Sequence, residues 1–401
     1  MPKRVLILSA SVGTGHIHAA QAIQNALISI DSEAVVRHED ALEFANPTFR
    51  NLMRHGYNEL ANNAPEVLGL AYEYSERVWS TEIHGVAFER WNSGDLIKLA
   101  TEFRPDLVVC THPLPADMTS WLICKKRLWA QHAVVLTDFD LNTMWLCQHY
   151  SGYFVALEET LECMVNIGYE RSRIIVSGIP VDPIFAATKD KMEMRKKYGL
   201  NSESTCILIS AGGLGVGPVA EEIVPALMGL GLKSKIQIVA VCGHNDELKQ
   251  KLDAYSEQIA ATSDTSLKVF GLTSQMDELM SAADLILGKP GGLTVAEALS
   301  KGLPMVIVNP IPGQEERNSD HLLEAGAAIR CHNLAGLAYK MGLLLNDPSR
   351  LAIMRECALR FSRPRAAETV ARELLAMIEK SRGCAFHPPD HNCNGSLLGI
   401  G

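Results

Sequence analysis

The sequence predicts an α/β protein made of two doubly wound, Rossmann-like domains facing across a cleft. Three observations carry that expectation. Short β-branched apolar runs alternate with helical stretches of roughly 10–15 residues, the rhythm of βαβ units and a parallel sheet. The rhythm stops at residues 178–183 and then starts afresh. The chain has 401 residues, enough for two to three domains of roughly 150 residues each.

In chain order, a strand at residues 5–9 feeds a Gly-rich turn and a helix over 17–30. A second strand is expected at 34–37, then a long helical region from Pro47 to Thr101, broken at Pro65 and at 92–94. Strands at 106–110, 133–137, 153–156 and 174–176 complete the first half. The break at 178–183 and the charged segment 189–197 read as the interdomain linker. Strands then recur at 206–210, 236–241, 267–270, 285–287 and 304–308, and amphipathic stretches at 335–345, 350–361 and 366–378 close the fold. The expected divisions are residues 1–180, residues 181–360, a C-terminal helix over 361–380, and a disordered tail over 381–401 rich in Gly, Pro, Asn and His.

Composition narrows the function. Hydrophobic residues are 47% and charged residues 21%, an ordinary globular balance. The apolar stretch after Arg4 is too short for a signal peptide, and nothing reaches the length of a transmembrane helix. A formal charge of -9 disfavours a nucleic-acid partner. The ten cysteines form no CxxC and sit in apolar runs, so they read as buried thiols of a cytoplasmic protein, without structural zinc or a disulfide framework.

Three Gly-rich turns carry the chemistry. The first, Gly13-Thr14-Gly15-His16, opens the first helix but lacks the third glycine of a dinucleotide fingerprint. His16 lies in the first helical turn, where the dipole favours neutral imidazole and suits a general base; a capping histidine fits the same place. His18 points elsewhere on the helix and reads as structural. The second turn places Gly212, Gly213, Gly215 and Gly217 after a strand, a backbone nest for phosphate oxygens without the Lys-Ser/Thr ending of a P-loop. The third runs Gly288-Lys289-Pro290-Gly291-Gly292-Leu293-Thr294 into a helix whose amides suit a diphosphate. Glu297, one turn in, suits a vicinal diol, or a solvated helix face. Gln314, Glu315 and Asn318 open a later helix, where they can read sugar hydroxyls.

With these residues in view, the chain resembles the family-28 glycosyltransferases, in the branch of monogalactosyldiacylglycerol synthases and processive diacylglycerol glucosyltransferases. The resemblance rests on residues 288–298 with Gly313-Gln314-Glu315, on the turn ending in His16, and on residues 135–138, 153–156 and 178–181. It implies a GT-B fold and inverting transfer of a hexose from a UDP-sugar to diacylglycerol. It implies His16 as catalytic base and a donor site built from Gly212, Gly213, Lys289, Pro290, Gly291, Gly292, Thr294, Glu297, Gln314, Glu315 and Asn318. Asp182 departs from the arginine that many members carry two residues after the proline at 180, so diphosphate neutralisation falls to helix N-termini and Lys289.

Asp138 ends a strand and either orients His16 or caps the next turn. With Asp140 it spells D-x-D, but in the half not expected to hold the donor, so no metal and no cofactor is expected; the UDP-hexose is a substrate. A lipid acceptor implies a peripheral enzyme on the cytoplasmic membrane face. Two surfaces are candidates: the long helical region, with Met53, Tyr57, Leu60, Val67, Leu68, Leu70, Ala71, Tyr74, Val78 and Trp79, and the Lys125-Lys126-Arg127 cluster flanked by Trp121, Leu122 and Trp129. Residues 1–180 carry 14 Lys and Arg against 21 Asp and Glu, so docking there is apolar with one local basic cluster. Three other readings share the scaffold: a different lipid-linked acceptor, a UDP-N-acetylglucosamine 2-epimerase, and a sensor that binds a UDP-sugar without turnover.

Overall fold

The computed structural model describes residues 2–56, 59–60, 64–78, 94–210, 219–228, 235–260 and 266–383. These form two compact units. The first comprises Met1–Pro183 with the segment from Arg365 onward, and the second Ile184–Pro364.

In the first unit the elements are β1 (Arg4–Ser9), α1 (Gly15–Ile30), β2 (Val35–Asp40), α2 (Pro47–Asn51) running into a π turn (Leu52–Gly56), α3 (Pro65–Val78), α4 (Gly94–Phe103), β3 (Leu107–Cys110), α5 (Pro113–Cys124), β4 (Gln131–Val135), β5 (Gly152–Val155), α6 (Glu158–Asn166) and β6 (Ile174–Val176). All strand pairings are parallel, in the order β2-β1-β3-β4-β5-β6. Period-two alternation sends one set of side chains to each face. Leu6, Leu8, Val108, Cys110, Val134 and Val155 join one buried cluster with α4 and α5. Val5, Ile7, Leu107, Val109, Val135 and Phe154 join the other with α1. Both faces are covered, which is why these strands read as continuous apolar runs. Burying Ile23 and Leu27 of α1, each at 0% exposure, is worth about 1.5–3 kcal/mol per side chain.

The second unit contains α7 (Lys191–Lys197), β7 (Thr205–Ser210), α8 (Val219–Met228), β8 (Ile236–Val241), α9 (Asp246–Ala260), β9 (Ser266–Phe270), α10 (Met276–Ala282), β10 (Leu285–Gly288), α11 (Gly292–Ser300), β11 (Met305–Val308), α12 (Gln314–Glu324), β12 (Ala328–Cys331), α13 (Leu334–Leu345) and α14 (Pro348–Phe361). Its parallel sheet runs β12-β11-β10-β7-β8-β9. Counted from β7, that is the 3-2-1-4-5-6 order of a dinucleotide-binding fold read from its far edge, with the topological switch between β7 and β10.

The structure departs from the sequence reading in three places. The charged segment at 189–197 is no linker: α7 is capped by Asp190, and Arg195 is buried against Asp284 and the carbonyls of Ala282 and Ser202. The edge strand β12 was not expected, because four residues containing Arg330 carry no alternation long enough to show. The last helix, α15 (Ala366–Gly383), returns to the first unit, where Val370, Leu374 and Ile378 pack in the cluster that holds α1. It extends through residues 381–383 of the expected tail; residues 384–401 lie outside those described. Seven described cysteines are free thiols.

Gly288 closes β10 opposite Ser210 of β7. A Cβ built there meets Ser210 O at 2.8 Å, and a backbone neighbour cannot swing away. Gly288→Ala is therefore expected to force the two central strands apart and cost about 1–3 kcal/mol, read as a lower denaturant midpoint. An unchanged midpoint would show that this pairing has slack.

Candidate active site

In the first unit the strand order reverses between β1 and β3, so the turns after these strands open a crevice at their carboxyl ends. His16 stands there, in the first turn of α1. Its Nδ1 lies 2.9 Å from Thr111 O, which follows β3, and 2.8 Å from Thr137 Oγ1, which follows β4. A carbonyl only accepts, so Nδ1 carries the proton and Nε2 keeps its lone pair. Thr111 answers with its own hydroxyl, donating to His16 O at 2.9 Å. The pair fastens the start of α1 to the end of β3.

Burial drives the His16 pKa down to about 4, against a small upward pull from the Thr111 carbonyl. The ring is thus neutral at pH 7. A second imidazole stands beside it: His112 caps α5, its Nδ1 accepting Leu114 N–H at 3.1 Å, and its ring meets His16 edge-on with centroids 4.5 Å apart. Burial, with the neighbouring His16, holds His112 well below the ordinary imidazole range. Trp145, 2% exposed, closes one side with its ring centroid 6.3 Å from that of His16. Asp138 is buried immediately after Thr137.

The second unit holds the other cluster, at the carboxyl end of β10. Gly291 precedes α11 and, as a glycine, offers no side chain to cap the first amides of that helix, which suit an anion. Lys289 is half-buried; desolvation lowers its pKa and the Glu315 carboxylate partly restores it. Glu315 accepts Ile311 N–H at 2.7 Å, which places its other oxygen beside Gly291. Asn318, 1% exposed, donates to Pro290 O at 3.2 Å, so its amide holds the loop. Gln314 opens α12 after Gly313, whose φ of 87° is the left-handed conformation that glycine tolerates. Thr294 and Glu297 sit half-buried on α11, and Gly292 is buried.

The structure therefore gathers Lys289, Pro290, Gly291, Gly292, Glu315 and Asn318 in one unit and His16 with Asp138 in the other. Gly212 and Gly213 lie outside the described residues. Among the described residues no group of three His, Cys, Asp or Glu side chains is placed to hold a metal ion. Sequence reading passed over Thr111, His112 and Trp145. The available signal was the strand followed by Thr111-His112-Pro113, a capping residue ahead of a proline suited to open a helix.

Two consequences are measurable. His16, with a folded pKa of about 4, is expected to stay neutral down to about pH 5 in a histidine NMR titration; a midpoint near 6.5 would mean an open ring. His132 is likewise held at about 4 by burial, its Nδ1 donating to His149 O at 2.7 Å. For both, the unfolded chain takes up protons near pH 6.5 that the folded protein refuses until about 4. Stability is thus full above about 6.5 and falls as the pH drops toward 4. His132→Asn, which keeps a donor without titrating, should flatten that slope; an unchanged slope would assign it to other groups.

Residues 16–181 match the monogalactosyldiacylglycerol (MGDG) synthase family, and residues 207–370 match the glycosyltransferase family 28 C-terminal domain. A processive diacylglycerol beta-glucosyltransferase of Bacillus cytotoxicus is 30% identical over 388 residues, 96% of each chain. The enzyme of the same name from Bacillus pumilus is 29% identical over 380 residues, 93% of this chain and 94% of that one. The crystal structure of Acinetobacter baumannii MurG superposes with a TM-score of 0.64 at 18% identity, over 94% of this chain and all of that one, which shows the shared GT-B fold. The chain belongs to the family 28 glycosyltransferases, in the branch of the MGDG synthases and processive diacylglycerol glucosyltransferases.

Proposed function

We propose that the protein moves a hexose from a UDP-sugar to the free hydroxyl of diacylglycerol, with inversion at the anomeric carbon. The observation that carries this reading is His16, a neutral imidazole whose Nδ1 proton is fixed by Thr111 O and whose Nε2 keeps its lone pair. The acceptor hydroxyl gives its proton to Nε2 as its oxygen bonds to the sugar carbon. The bond from that carbon to the diphosphate oxygen breaks, and UDP leaves with the electron pair. Charge growing on the diphosphate is met by the open amides of α11 and by Lys289, with Gly212 and Gly213 as further donors. Glu297 takes the ribose diol, and Gln314 and Glu315 take sugar hydroxyls. Asp138 offsets the imidazolium that forms at His16. Asn318 acts through the Pro290 loop that it holds. No metal takes part in this scheme.

The relatives are named for glucosyl transfer, which makes UDP-glucose the first donor to test. Their near full-length similarity favours a diacylglycerol acceptor over another lipid-linked one, over 2-epimerisation and over sensing. No described helix is long and apolar enough to cross a membrane. Access to the lipid is then peripheral, at the cytoplasmic face in this reading. Of the two candidate surfaces, the segments after β2 are favoured. They leave the carboxyl end of the sheet, where His16 lies, and expose Leu52, Val67 and Leu70. The Lys125-Lys126-Arg127 cluster sits between α5 and β4, at the opposite end of that sheet. There Leu122 is buried, Trp121 stacks with Arg127, and only Trp129 of the flanking apolar residues stands out.

Purified protein with diacylglycerol in mixed micelles and UDP-glucose or UDP-galactose is expected to give hexosyl-diacylglycerol by mass spectrometry. His16→Ala is expected to lower kcat by about 100-fold or more while leaving UDP binding in place. UDP release without glycolipid would remove the acceptor from this reading. Full activity in His16→Ala would remove the base.

A further inference from the structure

The turn that precedes His16 is held from the segment that follows β2. Arg54, on the π turn, donates Nε to Ser11 Oγ at 2.5 Å. Its Nη2 reaches Asp40 at 2.5 Å and Glu43 at 2.7 Å. Asp40 also accepts Ser11 N–H at 3.1 Å and Leu42 N–H at 3.0 Å. One planar guanidinium thus joins the Gly-rich turn, the end of β2 and the π turn. Lysine presents a point charge and cannot span these three acceptors at once.

The other end of the π turn faces water with an apolar side chain. Leu52 is 65% exposed, while Met53 beside it packs against the cluster containing Trp145. The pair with Asp40 is part-buried and that with Glu43 exposed, and beyond what such pairs contribute to stability the three-way fork fixes an angle. A π turn is also rare and concentrates at functional sites.

We propose that Arg54 is a positioning residue that couples contact of the Leu52 segment with a lipid surface to the setting of the His16 turn. The coupling rests on the lipid-acceptor reading above. Leu52 entering the acyl boundary immobilises the π turn. The guanidinium carries that restraint to Ser11, and the imidazole five residues on keeps one attack geometry.

The test compares two acceptor forms with the full chain and the donor that gives product: monomeric dihexanoylglycerol, and dioleoylglycerol in phosphatidylcholine vesicles. Wild type is expected to show a kcat about tenfold higher on vesicles than on the monomeric acceptor. Arg54→Ala and Arg54→Lys should both lose that enhancement, with KM for the UDP-sugar and vesicle sedimentation unchanged and with melting curves showing a folded protein. Leu52→Ser, at an exposed position, should lose vesicle binding and the enhancement together while keeping the monomer rate. A folded Arg54→Lys variant that keeps the full enhancement overturns the coupling alone. So does a wild type that makes glycolipid equally fast on both acceptors. Absence of glycolipid from wild type on either acceptor overturns the functional reading and the coupling with it.

Discussion

An imidazole partly withdrawn from water holds charge at a cost, and the carboxyl end of the first sheet is arranged round that fact. Thr111 O decides which ring nitrogen of His16 keeps its proton, and the Thr111 hydroxyl returns a bond to the backbone of the same histidine. His112 adopts the opposite tautomer, since its Nδ1 must accept from Leu114 to start α5. Two neutral rings can then lie in contact at the ends of β1 and β3 without a counter-ion between them. A single charged ring there would demand a compensating carboxylate and more water. The neutral pair lets two helices begin close together on adjacent strands.

The second unit uses a related parallel topology for the reverse purpose. Its central loop leaves helix amides open and keeps one ammonium half-desolvated, restrained by Glu315. In the proposed function this is where the diphosphate would be met, by helix amides and one ammonium. Gly288 and Gly291 matter by being small: one lets β10 approach Ser210 O, and the other leaves room beside Glu315.

How far the sequence reached depends on the range of each interaction. Strands such as β10 and β11 were legible because both faces are buried and every residue is apolar or small. The helix opened by Gly15-His16 was legible from its glycines. The partners of His16 were not, since Thr111 is 95 positions away and only strand order brings it near. Asn318 was read as a sugar contact from its place in a polar cluster, whereas its amide holds a carbonyl that sequence cannot position. The basic cluster at 125–127 illustrates the same limit. Its surface character was plain, but which end of the sheet it occupies follows from topology alone.

The return of α15 to the first unit makes the second unit, in topological terms, an insertion within the first. The cluster formed by Val5, Ile7 and α1 is covered only when Val370, Leu374 and Ile378 arrive. During synthesis the whole of Ile184–Pro364 emerges before that cover exists. The inserted unit has all its strands in hand and can finish first, while the earlier-made sheet waits with one apolar face open. The usual N-to-C order of domain completion is thereby inverted, and the exposed interval belongs to the half that carries His16.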